Sequence, residues 1–362
     1  MKIAFLGDIA LIGKYDLTTN PFAIERLKIL EEKLSEYDYV IANLETPLTE
    51  KTKTMICKSM HLRTPIINVD LLKFLHINAV TLANNHIHDF GTEGLIDTIK
   101  ALEKNGIEWF GANSKSLIKE IKGEKVCFSG FCCYSTNATG YIMNKGQIGV
   151  NTLTYEKIMK QLDNDKENNA FSVFSIHWGT EHTNYPMYEH LCLAKKIAMK
   201  KDVLIHGHHP HVIQGIQKIN GSLVAYSLGN CLFDDCASIN GAFILKQNEN
   251  NKKSFILEAE IKKGKINNYN YIGFKDEDKG IIFFDVTQEM RLISEKLNNI
   301  NDLSLYNKIR KEQFDKAVLE KIGNRDLSWF ISRLNYYSIG ARLIAIFIKE
   351  KFKNEVKKFV GE

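Results

Sequence analysis

Three histidines stand within four positions of one another in the segment GHHPHVIQG, at His208, His209 and His211. The whole chain of 362 residues contains only 11 histidines, so this segment is rich in them. Imidazole is the commonest metal ligand in proteins, and two imidazoles two residues apart in a loop can face one ion. A hydrogen-bonded polar loop is the plainer interpretation. The pattern favours metal binding by His209 and His211, with His208 as a neighbour.

Other residues that could bind a metal or transfer a proton follow apolar runs that are typical of strands. Six such runs end at Asp8, Glu45, Asn85-His86, His177, His209-Pro210-His211 and Asn230. In open α/β sheets the ligand crevice lies beyond the carboxyl ends of the strands, so these residues are expected to converge on one crevice. Each also has an alternative role, such as a turn or cap for Asp8 and Asn85, or a buried core side chain for His177.

The residue types suggest separate tasks. The Glu45 carboxylate could bridge two cations, although it could also be a solvated loop acid. His86 suits a general acid, with Asp89 as the partner that orients its ring. Arg63 is a candidate for binding an anionic substrate group, since a guanidinium matches phosphate or carboxylate in a bidentate way; an ordinary surface arginine is the alternative. Asn230 is a further candidate for contact with the substrate.

The order of strand-like and helical segments indicates how these residues are positioned. Over residues 2–110 strands and helices alternate, which predicts a parallel, doubly wound sheet. Over residues 211–274 short strands and turns predominate and predict a second, mostly antiparallel sheet. The last part of the chain has a helical pattern without any chemistry-bearing motif. We therefore expect an α/β domain over residues 1–285 and a helical tail over residues 286–362.

Composition argues against some classes of protein. The formal net charge of +5 is small for 362 residues and disfavours a nucleic-acid binder, which usually shows a strong basic stripe. The 7 cysteines have no framework spacing and suggest reduced thiols in a cytoplasmic protein. No apolar run has the length of a signal-peptide core or of a transmembrane helix. The sequence thus predicts a cytoplasmic protein without nucleic-acid partners.

Six motifs taken together resemble a known family. They are GD at residues 7–8, NLETPLT at 43–49, NNHIHDFG at 84–91, HWGTE at 177–181, GHHPHVIQG at 207–215 and YSLGN at 226–230. Over roughly residues 1–235 they resemble, in the same order, the CapA family of bacterial capsule-synthesis proteins, which is named for poly-γ-glutamate capsules. That family is similar to the calcineurin-like metallophosphoesterases, and many of its members carry an amino-terminal membrane anchor.

The resemblance implies a four-layer α/β/β/α sandwich of the metallo-dependent phosphatase type, with a helical C-terminal appendage outside the match. The ligands of a two-metal centre that it implies are Asp8, Glu45, Asn85, His177, His209 and His211. It also places the adjacent acid at His86. This chain departs from the metallophosphoesterase pattern in two ways. No histidine follows two residues after Asp8, where Ala10 stands, and the bridging carboxylate is Glu rather than Asp. One or two ions are therefore expected.

The expected ligand set mixes oxygen and nitrogen and suits Mn, Fe or Zn. A metal-bound hydroxide could attack phosphorus in line, or a carbonyl carbon. Three functions compete: a phosphoesterase-like hydrolase in capsule or cell-envelope polymer biosynthesis, acting on an anionic polymer or phosphoester; a hydrolase or transferase acting on a poly-γ-glutamate-like amide polymer; and a non-catalytic accessory protein that binds polymer. The pair of His86 and Asp89 favours catalysis, since a pure binder has no need of it.

The tail carries an amphipathic pattern of its own. Its apolar residues recur at steps of three or four on one face of a predicted helix, at Ile344, Ile348, Phe352, Val356 and Phe359. Lysines surround the other sides. Such a helix can dock on its own domain, pair with a second subunit in a homodimer, or make peripheral contact with an anionic membrane surface. The membrane alternative stays open because capsule synthesis takes place at the membrane.

Overall fold

The first strand, β1 (Lys2–Ile9), illustrates how the sequence builds the core. Successive side chains of a strand point to opposite faces of its sheet. Ile3 and Phe5 belong to a core shared with a second sheet, whereas Ala4 and Leu6 belong to a core shared with helices. Because both faces are covered, the strand is apolar along its length rather than alternating.

The computed structural model describes residues 1–136, 148–241, 243–323 and 327–361. After β1 the strands are β2 (Tyr39–Leu44), β3 (Ala79–Thr81), β4 (Glu108–Phe110), β5 (Leu117–Ile121), β6 (Glu124–Cys132), β7 (Phe171–His177), β8 (Val203–His208), β9 (Ile216–Ile219), β10 (Ser222–Ala225), β11 (Asn230–Leu232), β12 (Cys236–Ala237), β13 (Ile244–Leu245), β14 (Lys253–Lys262), β15 (Lys265–Glu277) and β16 (Gly280–Phe284). The helices are α1 (Lys28–Leu34), α2 (Val69–Phe74), α3 (Gly91–Lys104), α4 (Tyr155–Glu167), α5 (Tyr188–Ala198), α6 (Thr287–Asn298), α7 (Leu303–Ile322), α8 (Leu327–Ser332), α9 (Tyr336–Lys351) and α10 (Lys353–Val360).

Two sheets face each other between layers of helices. The first has the strand order β16-β15-β14-β1-β2-β3-β4, with β11 also paired to β1, and the second has the order β5-β6-β7-β8-β10-β9. The Tyr39 ring of the first sheet stacks on the Phe128 ring of the second, with centroids 5.6 Å apart. Helices α1–α3 pack on the outer face of the first sheet, and α4 and α5 pack on that of the second. The predicted four-layer α/β/β/α sandwich is therefore confirmed.

The prediction of a separate antiparallel sheet over residues 211–274 is wrong. Strands β14, β15 and β16 extend the first sheet in antiparallel fashion, while β9 and β10 extend the second. Strand β10 runs parallel to β8, and Phe5 of β1 pairs with Leu257 of β14. An apolar run shows that a strand is buried, but it carries no information about which sheet edge the strand joins.

Near the carboxyl end of β1, its backbone lies unusually close to the backbone at Gly229. A Cβ atom at Gly7 would lie 1.9 Å from the carbonyl oxygen of Gly229, so a side chain at this position is excluded. The same carbonyl accepts a hydrogen bond from Asp8 N at 3.0 Å. Gly229 has φ of 79°, a conformation that glycine adopts without steric cost. Asn230 is thereby held beside Asp8, its partner in the parallel pairing of β1 with β11.

The predicted tail helix is interrupted at Phe352, where α9 ends and α10 begins. Its apolar face packs on the chain's own domain: Ile348 and Phe359 are buried, and the Phe352 ring stacks on Tyr134 with centroids 6.3 Å apart. Docking on the domain is thus the arrangement present, among the three that the sequence allowed. Among the described residues, no helix combines the length and apolar character that crossing a membrane requires.

Replacement of Phe359 tests this docking. Phe359→Ala should cost about 3–5 kcal/mol of local stability, as for a large aromatic side chain removed from a core. Its side chain is 0% exposed, whereas that of the control residue Phe347 is 55% exposed. Limited proteolysis of the native protein should therefore cut the tail of Phe359→Ala faster than that of Phe347→Ala. Equal cleavage rates in the two variants would contradict the docked arrangement.

Candidate metal centre

Asp8 lies at the carboxyl end of β1 with its side chain fully buried. Its Oδ1 accepts a hydrogen bond from Asn43 Nδ2 at 2.8 Å, and its Oδ2 accepts one from the backbone nitrogen of His209 at 3.1 Å. His211 Nδ1 lies 3.5 Å from Oδ2. The first strand is thus tied directly to the histidine loop that follows β8, although the two segments lie 201 residues apart in the chain.

Glu45 follows β2 and is held in place by its own backbone, whose nitrogen donates to Ile9 O at 2.7 Å. Its carboxylate is buried, and neither oxygen has a hydrogen-bond partner among the described residues. Oε1 lies 3.4 Å from His177 Nε2 and 3.8 Å from His211 Nε2. A buried polar group without a partner is rare in proteins, and an ion is one accepted explanation for such a group.

The second sheet supplies the histidines. His177 ends β7, and its Nε2 lies 3.0 Å from Asn85 Oδ1. The His177 and His209 rings have centroids 4.8 Å apart. His209 and His211 have φ of 94° and 57°, which is uncommon for residues other than glycine and costs free energy. Strained residues of this kind cluster at functional sites, where the surrounding structure holds them in place.

Two groups of potential ligands share one carboxylate. Glu45, His177 and His209 form one group, and Asp8, Glu45 and His211 form the other; within each, the donor atoms lie within 4.8 Å of one another. The position of Asn85 beside His177 adds an oxygen donor to the first group. The six residues implied by the family resemblance are thus brought together, with Glu45 between the two groups. This arrangement fits one divalent ion in each group and a bridging role for Glu45.

Burial disfavours the charged form of each of these side chains. It raises the pKa of Asp8 and, together with the Asp8 carboxylate, holds the pKa of Glu45 well above its ordinary value. It also keeps the pKa of His177 and His209 well below the ordinary value. A divalent ion favours ionised carboxylates, and neutral imidazole is the form that binds metal. The donor set therefore fits the metal ions that the sequence suggests.

The structure also joins His86 and Asp89. His86 Nδ1 lies 2.6 Å from Asp89 Oδ2, which also accepts the backbone N–H of Leu62 at 2.7 Å. His86 Nδ1 faces both Asp89 and Lys58, so Nε2 is the ring nitrogen that could exchange a proton with a substrate. Burial lowers the pKa of His86, against the Asp89 charge that raises it. Burial raises the pKa of Asp89, but His86 and Lys58 outweigh it and hold this pKa below the ordinary value.

Lys58 is a member of this cluster that the sequence did not single out. Its Nζ lies 2.9 Å from His86 Nδ1 and 3.0 Å from Asp89 Oδ1, and it donates to Asn85 O at 2.6 Å. The lysine is buried, at 8% exposure, and links the pair of His86 and Asp89 to Asn85, a potential ligand. It comes from an irregular stretch without periodicity, so no sequence pattern could have identified it.

Three further residues were missed. Asn43, at the start of the NLETPLT motif, donates to Asp8 and lies 3.4 Å from His177 Nδ1. Glu181, the last residue of HWGTE, has a carboxylate oxygen within 4.8 Å of ring nitrogens of His209 and His211. His206 Nδ1 lies 3.3 Å from His208 Nε2, and the other ring nitrogen of His208 lies 3.1 Å from Asp8 Oδ1. Asn43 and Glu181 lie in motifs that carry the family resemblance, and these motifs are the signal that could have identified them.

The two candidate substrate contacts have different surroundings. Asn230 Oδ1 lies 2.9 Å from His211 Nδ1, so the asparagine orients a potential ligand. Arg63 is half-buried between Leu62, which donates to Asp89, and Thr64, whose Oγ1 donates to Leu11 O. Contact of Asn230 or Arg63 with a substrate stays a prediction.

The fold and the site define a class of protein: an α/β/β/α sandwich with a buried set of potential metal ligands, which share one carboxylate, at the ends of its strands. Residues 2–235 match the family described as "Bacterial capsule synthesis protein PGA_cap", and the chain belongs to this family. The resemblance predicted from the six motifs is therefore confirmed.

Individual relatives agree with this assignment. The chain is 30% identical to the PGA biosynthesis protein CapA of Bacillus subtilis over 244 residues, which are 65% of this chain and 63% of that protein. It is 32% identical to the capsule biosynthesis protein CapA of Bacillus anthracis over 248 residues, 65% of this chain and 60% of that protein. The chain thus spans less than two thirds of the length of these relatives.

Among solved structures, the calcineurin-like phosphoesterase YfkN of Bacillus subtilis is similar with a TM-score of 0.43 and 14% identity, over 88% of this chain and 98% of that chain.

Metal analysis of purified variants tests the ligand groups. His177→Ala and His209→Ala should each lose about one ion per chain, because both belong to the same group, while Glu45→Gln should weaken both positions. His76→Ala is the control, since His76 pairs with Glu31 at the surface with Nε2 and Oε1 2.6 Å apart. Elemental analysis by mass spectrometry gives the metal content. Unchanged metal in both His177→Ala and His209→Ala would refute the assignment.

Proposed function

We propose that this protein is a metal-dependent hydrolase of phosphoester bonds that serves capsule or cell-envelope polymer synthesis. The observation that carries the proposal is the combination of two ligand groups sharing Glu45 with a buried pair of His86 and Asp89 linked to them through Lys58 and Asn85. Ligands alone would suit a structural or storage site. A histidine held by a carboxylate beside the ligands is what general acid catalysis requires.

In this proposal, Asp8, His211 and Glu45 would hold one ion, and Glu45, Asn85, His177 and His209 would hold the other. The ions would supply an acidified water and polarise the phosphoryl oxygen. His86 donates the proton on Nε2 to the leaving oxygen as the bond between phosphorus and that oxygen breaks. Asp89 keeps the ring oriented through Nδ1 and stabilises its protonated form. The attacking water forms the new bond from its oxygen to phosphorus and loses a proton to solvent, and after product release solvent returns a proton to His86 Nε2.

Hydrolysis of, or transfer from, an amide polymer is the second candidate. The name of a relative, the PGA biosynthesis protein of Bacillus subtilis, favours it. The same centre could activate a carbonyl carbon, with His86 protonating the amine that leaves. The two candidates share every residue and differ only in the atom attacked, so substrate assays separate them.

Replacement of His86 tests the assignment of the acid. His86→Asn should keep its metal and lose about 100-fold or more in turnover, the usual scale for a lost general acid. Turnover would be measured on bis-p-nitrophenyl phosphate, p-nitrophenyl phosphate and γ-glutamyl-p-nitroanilide. His88→Asn is the matched control, because His88 is also buried and lies two residues away. Full activity in His86→Asn together with its loss in His88→Asn would move the role of acid to His88.

A further inference from the structure

Glu181 belongs to a third group of potential ligands. One of its carboxylate oxygens and a ring nitrogen from each of His209 and His211 all lie within 4.8 Å of one another. Glu181 lines a cleft of about 910 Å³ together with His209 and with side chains of α9 and α10. The histidine loop after β8 therefore has a carboxylate on its cleft side in addition to the buried Glu45.

This third group shares both of its histidines with the two groups described above. His209 belongs to the group of Glu45 and His177, and His211 belongs to the group of Asp8 and Glu45. A neutral imidazole has a single nitrogen with a free lone pair, so each ring binds one ion. Glu181 can therefore add a donor to an ion that these histidines already hold, rather than hold a third ion with them.

The two ion positions have different numbers of protein donors. The position that we call the His177 position has four donors: Glu45, Asn85, His177 and His209. The position that we call the Asp8 position has three donors: Asp8, Glu45 and His211. First-row divalent ions take four to six ligands, depending on the metal. The Asp8 position thus has more room for a further protein ligand.

Apolar side chains close the Asp8 position on the side away from the cleft. Ala10, two residues after Asp8, is buried in a cluster with Leu62 and Phe233. The Phe233 ring lies edge-on to the ring of His211, with centroids 4.9 Å apart. Among the described residues, the carboxylates that share a ligand group with His211 are those of Asp8, Glu45 and Glu181. A fourth donor for this position is therefore available from Glu181.

The charge of Glu181 acts on the centre. Burial, the Asp8 carboxylate and, to a smaller extent, the Glu181 carboxylate raise the pKa of Glu45. Three carboxylates that surround one imidazole repel one another when they are ionised. A divalent ion between them would replace this repulsion with attraction.

Hydrogen bonds on both sides of Glu181 hold it beside the histidine loop. The nitrogen of His182 donates to Pro210 O at 2.7 Å, within that loop. His182 has φ of 63°, which is uncommon for residues other than glycine. On the other side, Thr180 Oγ1 accepts a hydrogen bond from Arg310 at 3.1 Å. Since Arg310 belongs to α7, the helical tail takes part in placing Glu181.

We propose that Glu181 is a further metal ligand, which completes the Asp8 position from the cleft side. The inference rests on the metal centre of the proposed function and adds a ligand to it. With Glu181 the Asp8 position has three carboxylates and one imidazole, a donor set rich in oxygen that suits Mn²⁺. The His177 position has two imidazoles, which suit Zn²⁺ or Fe²⁺. The two positions should therefore differ in the ion that they prefer.

Titration of the metal-free full chain with Mn²⁺ tests the proposal, with the free ion measured by electron paramagnetic resonance. The unchanged protein should bind two ions. In Glu181→Gln one ion should bind at least about ten-fold more weakly, because loss of even an outer partner of a ligand typically costs about 10- to 100-fold in metal affinity. The fold should persist, since the Glu181 side chain is 45% exposed.

Glu189→Gln is the matched control. Glu189 lines the same cleft but belongs to none of the ligand groups found among the described residues, so this variant removes the same charge and should keep both ions. Two ions bound with unchanged affinity in Glu181→Gln, or equal weakening in Glu181→Gln and Glu189→Gln, would overturn the inference and leave the proposed function standing. A protein that binds neither Mn²⁺ nor Zn²⁺ before any substitution would overturn both.

Glu181→His separates ligation from charge. This variant keeps a potential ligand but removes the negative charge, and imidazole suits Zn²⁺. Competition of Zn²⁺ with Mn²⁺ should therefore show Zn²⁺ bound more tightly in Glu181→His than in Glu181→Gln. Equal affinity for Zn²⁺ in these two variants would indicate that only the charge of Glu181 matters, and would also overturn its role as a ligand.

Discussion

Glu45 carries a carboxylate that is buried and accepts no hydrogen bond from the described residues. Removing a carboxylate from water costs several kcal/mol unless an opposite charge compensates it. The imidazoles of His177 and His211, which lie within 4 Å of Glu45, have pKa values that burial lowers, so they do not supply that charge. A divalent ion on each side of Glu45 would do so, and metal binding would then contribute to the stability of the fold. The strand ends around Glu45 bring together potential ligands for such ions.

Bringing those strand ends together depends on backbone contacts between distant segments. Gly7 and Gly229 allow β1 and the YSLGN segment to approach without side chains between them. The approach places Asn230 against His211, and Asp8 against the backbone of His209. Because β11 pairs with β1 beside Asp8, glycine is needed where these two backbones meet.

The potential ligands and the tail belong to two different parts of the chain. The part that matches the family supplies all the potential ligands and the pair of His86 and Asp89. The tail supplies one wall of the cleft and is attached through side chains such as Phe359 and through α7, where Arg310 contacts Thr180. The tail thus adds a wall to the cleft from outside the part that matches the family.

The sequence by itself determined the residue types of the centre, and the resemblance of its six motifs to a known family implied the layers of the sandwich. The period of the apolar runs marks where strands end, and polar side chains at those ends share one edge of the sandwich, so Asp8, Glu45 and His177 could be singled out. Only the tertiary structure decided that β14 joins the edge of β1, that Lys58 contacts His86, and that α9 and α10 line the same cleft as His209. These contacts join segments far apart in the chain. They depend on how the surfaces of completed elements fit together, and local periodicity carries no record of that fit.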